Sequence, residues 1–221
     1  MMERRFDEEL KQLKERLLAM AGMAEQAVGK AVKALVDRNA TLARAVIQED
    51  AAINQLEVEI EEVCLSLLAR YQPEAKDLRF IAMVFKIVND LERVGDQAVN
   101  VSERTADLLN EPLLKPLIDI PKMAALAQQM LKDALDAFVN QDAELARAVC
   151  RRDDEVDHID DEVYHELLSD MTQDPNTIAR AVDLILIGRH LERVADHATN
   201  IAEDVVYLVQ GRTIKHHLAG D

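Results

Sequence analysis

The chain has 221 residues, 49% of them hydrophobic, and a formal net charge of −16. That length supports a sizeable core, the apolar content excludes a disordered chain, and so much negative charge argues against broad binding to nucleic acid or anionic lipid. Aromatics are only 3%, with no Trp, which disfavours a β core and leaves Leu, Ala, Val and Ile to fill helices.

The opening MMERRFDEEL has no apolar core of a signal peptide, and no run of about 18 uncharged apolar residues occurs, so a cytoplasmic protein without a membrane span is expected. In chain order the pattern predicts helices over 4–37, 40–70 and 75–109. Asp37-Arg38-Asn39 and Tyr71-Gln72-Pro73 mark the turns between them. Gly22 and Gly29, seven residues apart in the first helix, suit close packing. Glu111–Pro121 holds three prolines and reads as a linker. Helices are predicted again over 121–139, 142–171 and 175–210, with turns at Asn140-Gln141-Asp142 and Gln173-Asp174-Pro175. Cys64 and Cys150 fall in helical apolar patterns without metal-ligand spacing and are expected to be reduced core thiols.

The chain repeats itself. Residues 91–103 read LERVGDQAVNVSE and residues 191–203 read LERVADHATNIAE, identical at 8 of 13 positions at an offset of 100. Upstream, Leu42-Ala43-Arg44-Ala45-Val46 matches Leu145-Ala146-Arg147-Ala148-Val149 at an offset of 103, with Asp50 over Asp153, so one three-residue deletion falls in the intervening turn. Phe80, Val84, Ile87, Leu91, Val94, Ala98, Val101 and Leu108 recur at 3-4 spacing, which implies nearly antiparallel packing of sequential helices joined by short turns. The expected fold is all-α: two tandem antiparallel three-helix bundles from an internal duplication, at 1–110 and 121–221, with a linker at 111–120.

Each repeat carries an E-x-x-x-D step, Glu92 with Asp96 and Glu192 with Asp196. Such carboxylates lie about 40° apart on a helix, one above the other. The same face bears Ile81, Phe85, Val88 and Val99, so the acidic stripe continues an apolar one. The second helix of each half offers a matching stripe: Asp50, Asn54, Glu57 and Glu61 in the first, Asp153, Asp157 and Asp160 in the second. Like charges four residues apart repel, and a hard cation with oxygen ligands would reverse that penalty. The alternative is a solvated face neutralised by Arg93 and Arg193. Glu155/His158 and Glu162/His165 have E-x-x-H spacing, but helical count turns these histidines outward, and His197 also lies off the acidic face. His216 and His217 fall in a short tail expected to be disordered. No Gly-rich phosphate loop, nucleophile elbow or Cys/His pair is present, so no catalytic residue is assigned.

Two tandem halves with LERVGDQAVN and LERVADHATN resemble the PhoU family of phosphate-transport regulators along nearly the whole chain. The resemblance implies a non-enzymatic cytoplasmic protein that represses the phosphate-starvation response and modulates high-affinity phosphate uptake. It implies partners in the transporter ATPase subunit and a sensor histidine kinase, and a homo-oligomer, specifically a dimer. It also implies metal ions (iron, Mn, Mg or Zn) on Glu92, Asp96, Glu192 and Asp196, with Asp50 and Asp153 as weaker transfers. Asn54 stands where the second half has Asp157, which gives the first site less negative charge. A ferritin-like metal store or oxidase and a structural helical bundle are the competing readings.

Overall fold

A computed structural model describes residues 2–214, all helix and connecting turns with no strand among them. The first half comprises α1 (Met2–Val36), α2 (Ala40–Tyr71) and α3 (Ala75–Leu108). The second comprises α4 (Asp119–Asn140), α5 (Ala143–Cys150), α6 (Asp153–Gln173), a 3₁₀ turn (Pro175–Thr177) and α7 (Ile178–Gln210). The expected three-helix plan is therefore present in both halves, with one difference: the helix predicted over 142–171 is broken.

The turn from the first to the second helix repeats almost atom for atom. Arg38 (φ 52°) and its repeat mate Gln141 (φ 53°) take the left-handed conformation that ends a helix. Asn39 and Asp142 follow as N-caps, each accepting from the backbone N–H groups two and three residues on. At Arg151-Arg152 the halves part. Arg152 N–H donates to Val149 O (2.9 Å) and Glu155 N–H to Arg152 O (3.0 Å), three-residue steps that tighten the turn and restart the helix. Asp153, Asp154 and Glu155 fill the new first turn, where a helix N-terminus favours negative charge, and Arg152 is held 2.7 Å from Asp133 of α4. Pro121 falls in the first turn of α4 rather than in the linker, at a position whose N–H needs no intrahelical partner.

Each half buries its apolar stripe against its own helices. α1, α2 and α3 pack together, as do α4, α5, α6 and α7. The halves then join through α3 against α7 and α1 against α4, and the buried side chains form one continuous core. Leu91 and Leu191, repeat mates, are both 0% exposed. Cys64 is buried and Cys150 partly so, both free, and burial pushes their thiols up to about 12 and about 11, away from the reactive thiolate. No helix among the described residues is long and apolar enough to cross a membrane.

Candidate metal ledges

In the first half Glu92 and Asp96 lie on the edge of α3 beside α2, their side chains 14% and 36% exposed. Asp50 of α2 reaches this edge because Gly95 leaves room: a Cβ at that glycine would stand 3.0 Å from Asp50 Oδ1. Asn54 donates to Asp50 Oδ2 at 3.0 Å. Arg93 places Nη1 3.0 Å from Asp96 Oδ2 and Nε 3.4 Å from Glu92 Oε2. Asp50 Oδ1 and Glu92 Oε2 are nonetheless buried without a hydrogen-bond partner. Burial raises Glu92 above the usual carboxylate range, with Asp96, Glu57 and Asp50 adding repulsion and Arg93 opposing. Asp50 is raised chiefly by burial and also by Asp96, against the Asn54 amide. These neighbours place Asp50, Glu57, Glu92 and Asp96 in one electrostatic group.

The second half gathers Glu192 and Asp196 of α7 with Asp153, Asp157 and Asp160 of α6. Glu192 is pushed up to about 7 by burial and by Asp196, Asp157 and Asp160, with Arg189 opposing. Asp153 is pushed up to about 6 by burial, Asp196 and Asp157. The Thr199 hydroxyl beside it opposes that rise, although neither Asp153 Oδ1 nor Thr199 Oγ1 reaches full hydrogen-bond geometry. Asp160, 3% exposed, docks at Gly188, where a Cβ would lie 2.8 Å from its Oδ1, and its Oδ2 meets Arg189 Nη1 at 2.7 Å. Glycine thus admits a carboxylate at different heights on the two ledges: Gly95 between Glu92 and Asp96, Gly188 one turn before Glu192.

All six sequence-assigned positions therefore lie on the two ledges, each with its neighbour from the adjoining helix. The carboxylates form rows, and among the described residues no three His, Cys, Asp or Glu groups converge as a preformed cation cage. The donor set nevertheless fits a hard cation: oxygen ligands only, mutually repelling, with buried carboxylate oxygens that nothing in the chain satisfies.

His158 and His165 are exposed, as helical count requires. His216 and His217 lie outside the described residues. His197 is not a surface group: its Nδ1 lies 2.9 Å from Asp90 Oδ1 across the seam between α3 and α7. Along that seam His190 meets Gln97 (2.8 Å), Lys86 donates to Asp204 (2.7 Å) and Arg104 to Asp183 (3.4 Å). The pairs descend on α7 as they ascend on α3, so the two helices are antiparallel. None of these ladder residues is identical between the repeats, so the ladder does not show in the shared motif. The signal lay in the non-identical ones at the offset of 100: Asp90 against His190, Gln97 against His197 and Arg104 against Asp204.

Two copies of a three-helix unit, each with an acidic ledge facing away from the seam, define a class of repeat-built helical proteins organised around paired carboxylate rows. The chain belongs to the PhoU family: the PhoU domain matches residues 17–105 and again residues 120–205. Over 208 residues it is 44% identical to the phosphate-specific transport system accessory protein PhoU homolog of Aquifex aeolicus, covering 94% of each chain. The corresponding homolog of Pseudomonas aeruginosa is 42% identical over 212 residues, 96% of this chain and 88% of that one. The crystal structure of PhoU from Pseudomonas aeruginosa superposes with a TM-score of 0.91 at 42% identity, covering 94% of this chain and 100% of that one. The phosphate transport system regulatory protein PhoU from Streptococcus pneumoniae follows with a TM-score of 0.88 at 31% identity, covering 95% and 99%.

Proposed function

We propose that this protein is an accessory regulator of phosphate transport that represses the phosphate-starvation response when phosphate is plentiful and modulates high-affinity uptake. It acts without catalysis, as a cytoplasmic metal-binding adaptor between the transporter's ATPase subunit and a sensor histidine kinase, and it works as a homodimer. The observation that carries this reading is the duplicated carboxylate ledge on a chain related over nearly its full length to accessory proteins of phosphate-specific transport.

Glu92, Asp96 and Asp50 would hold a cation on one ledge, and Glu192, Asp196 and Asp153 on the other. A bound cation would supply charge neutralisation and open positions for water or a phosphate oxygen. The protein's own contribution is to hold these oxygens at the helix edges against their mutual repulsion, through burial and through the room left at Gly95 and Gly188. A ferritin-like oxidase would need E-x-x-H pairs turned into the core, and His158 and His165 face solvent.

Deletion of the gene tests the regulatory reading. Phosphate-starvation genes should stay on in rich phosphate, and normal repression in the deletion strain would overturn it. Capture of the protein from phosphate-replete cells should retain the transporter ATPase and the kinase. Recovery of neither would remove the adaptor role.

A further inference from the structure

The two ledges carry the same E-R-V-x-D core yet differ in what already satisfies their carboxylates. In the first half Arg93 lies across the pair, 3.0 Å from Asp96 Oδ2 and 3.4 Å from Glu92 Oε2. Asn54 in turn donates to Asp50 Oδ2. Each of the three carboxylates assigned to that ledge thus has one oxygen in contact with a cation or an amide of the chain itself. Asp50 Oδ1 and Glu92 Oε2 stay buried without a hydrogen bond, the latter with Arg93 Nε at 3.4 Å.

The second half differs at each of these contacts. Arg93 lies within 3.4 Å of both its carboxylates, whereas its repeat mate Arg193 acts on Asp196 only through longer-range charge, behind burial, Asp157 and His197. The cation that does engage this ledge, Arg189, is drawn one turn away to Asp160, at 2.7 Å. Asn89 stands at the position of Arg189 in the first half, so the first ledge has no second arginine, and Arg93 lies on the E-x-x-x-D pair. Asp157 replaces Asn54, which substitutes a negative charge for the amide that caps Asp50. Thr199 replaces Val99 and sets a hydroxyl beside Asp153 that favours its ionised form without reaching hydrogen-bond geometry, a weaker cap than the 3.0 Å Asn54 amide on Asp50.

We propose that the ledges take up divalent cations in a fixed order, the second-half ledge first, because Arg93 and Asn54 already occupy the first-half ligands as a built-in substitute for the ion. The proposal rests on the metal-binding reading above and adds to it the regulation of occupancy. A cation arriving at the first ledge must displace the Arg93 guanidinium from Glu92 and Asp96, whereas Glu192 and Asp196 are open to it. Partial occupancy is then a defined state, with one half filled and the other closed by its own arginine. Arg93 acts here as a positioning residue, since it meets the ligands and not the ion.

The test is calorimetric titration of the chelator-stripped full chain with Mn²⁺, paired with metal analysis after desalting. Two classes of site should appear, separated by about tenfold or more in affinity. Asp196→Asn should abolish the tight class and Asp96→Asn the weak one. Arg93→Gln should tighten the weak class several-fold, and Arg193→Gln should change the tight class by a smaller factor. The reciprocal exchange guards against a variant that folds poorly: Asn54→Asp should strengthen the first ledge and Asp157→Asn weaken the second, with helix content checked by circular dichroism. Equal affinities, a tight class that disappears with Asp96→Asn, or a weak class indifferent to Arg93→Gln would overturn the order while leaving the metal reading intact. Failure of Mn²⁺ to bind either ledge would overturn both.

Discussion

α2 runs unbroken through the stretch Ile47-Gln48-Glu49, whereas the matching stretch Cys150-Arg151-Arg152 ends α5 and starts α6. Neither stretch contains Pro or Gly. The break comes from three-residue hydrogen bonding at Arg152, from the tie between Arg152 and Asp133, and from the acidic run that follows. As a result Asp50 sits in mid-helix while Asp153 opens one. A helix N-terminus should favour the ionised form of Asp153 by about 0.3–1 kcal/mol. Its pKa is nevertheless raised to about 6, so burial and the surrounding carboxylates outweigh the dipole. A duplicated ledge is therefore not a duplicated environment: the same residue type at the same register is set by the company the adjoining helix brings.

The largest test of that comparison is in the core, where the halves should behave alike. Leu91→Ala and Leu191→Ala each empty a fully buried site on the central helix of a half, and each should cost about 2–5 kcal/mol in denaturant unfolding. Values that differ by more than the width of that range would show that the repeat is a resemblance of pattern and not of packing. The halves should then separate at the glycines. Gly188→Val imports the residue found at Val88, and its first carbon already lies 2.8 Å from Asp160 Oδ1, so a loss of about 1–3 kcal/mol is expected. Gly95→Ala imports the residue found at Ala195, meets Asp50 Oδ1 at 3.0 Å and Ile53 Cδ1 at 3.1 Å, and should cost less because the carboxylate can swing outward. The opposite ranking in thermal unfolding would mean that Asp160 is not held by the space at Gly188.

The dependence on pH of the metal-free chain compares the two ledges directly. Glu192 rises from 4.5 to about 7 and Asp153 from 3.8 to about 6 on folding. Folded values above unfolded ones mean that the stability these groups contribute is fully present below about pH 4 and is lost as pH climbs through about 6 to 7. Their joint contribution should therefore raise Tm as pH is lowered from about 8 to about 5. Glu192→Gln with Asp153→Asn should flatten that rise, and Glu92→Gln with Asp50→Asn should flatten it less. Equal flattening by the two double variants would make the ledges electrostatically equivalent after all.

Much of this architecture is readable in the residues. The repeats fix the helix order, the turn at Asn39 and its twin at Asp142, and the placement of Glu92, Asp96, Glu192 and Asp196 beside a helix that supplies Asp50 and Asp153. Those features follow from periodicity and short connections, which act locally. The break at Arg151-Arg152 is illegible because no residue there forbids a helix; the partner that favours the break, Asp133, lies on another element. Asp160 as a deeply buried carboxylate is illegible for the same reason, since its room is made by Gly188 on α7. His197, expected at the surface, is drawn into the seam by Asp90, 107 residues away.

That seam has a consequence for how the two halves recognise one another. Asp90 faces His197 while its repeat mate His190 faces Gln97, and Lys86 and Arg104 of α3 face Asp204 and Asp183 of α7. Pairing two first halves through the same register would bring Lys86 against Arg104. Pairing two second halves would bring Asp183 against Asp204. The duplicated units have become plug and socket: each repels its own kind and fits the other, a discrimination built from like-charge penalties as much as from attraction. The segment between Leu108 and Asp119 ties the halves as well, with Arg38 donating to Glu111 O and Arg180 to Pro112 O, but the choice of an unlike partner is written into the seam.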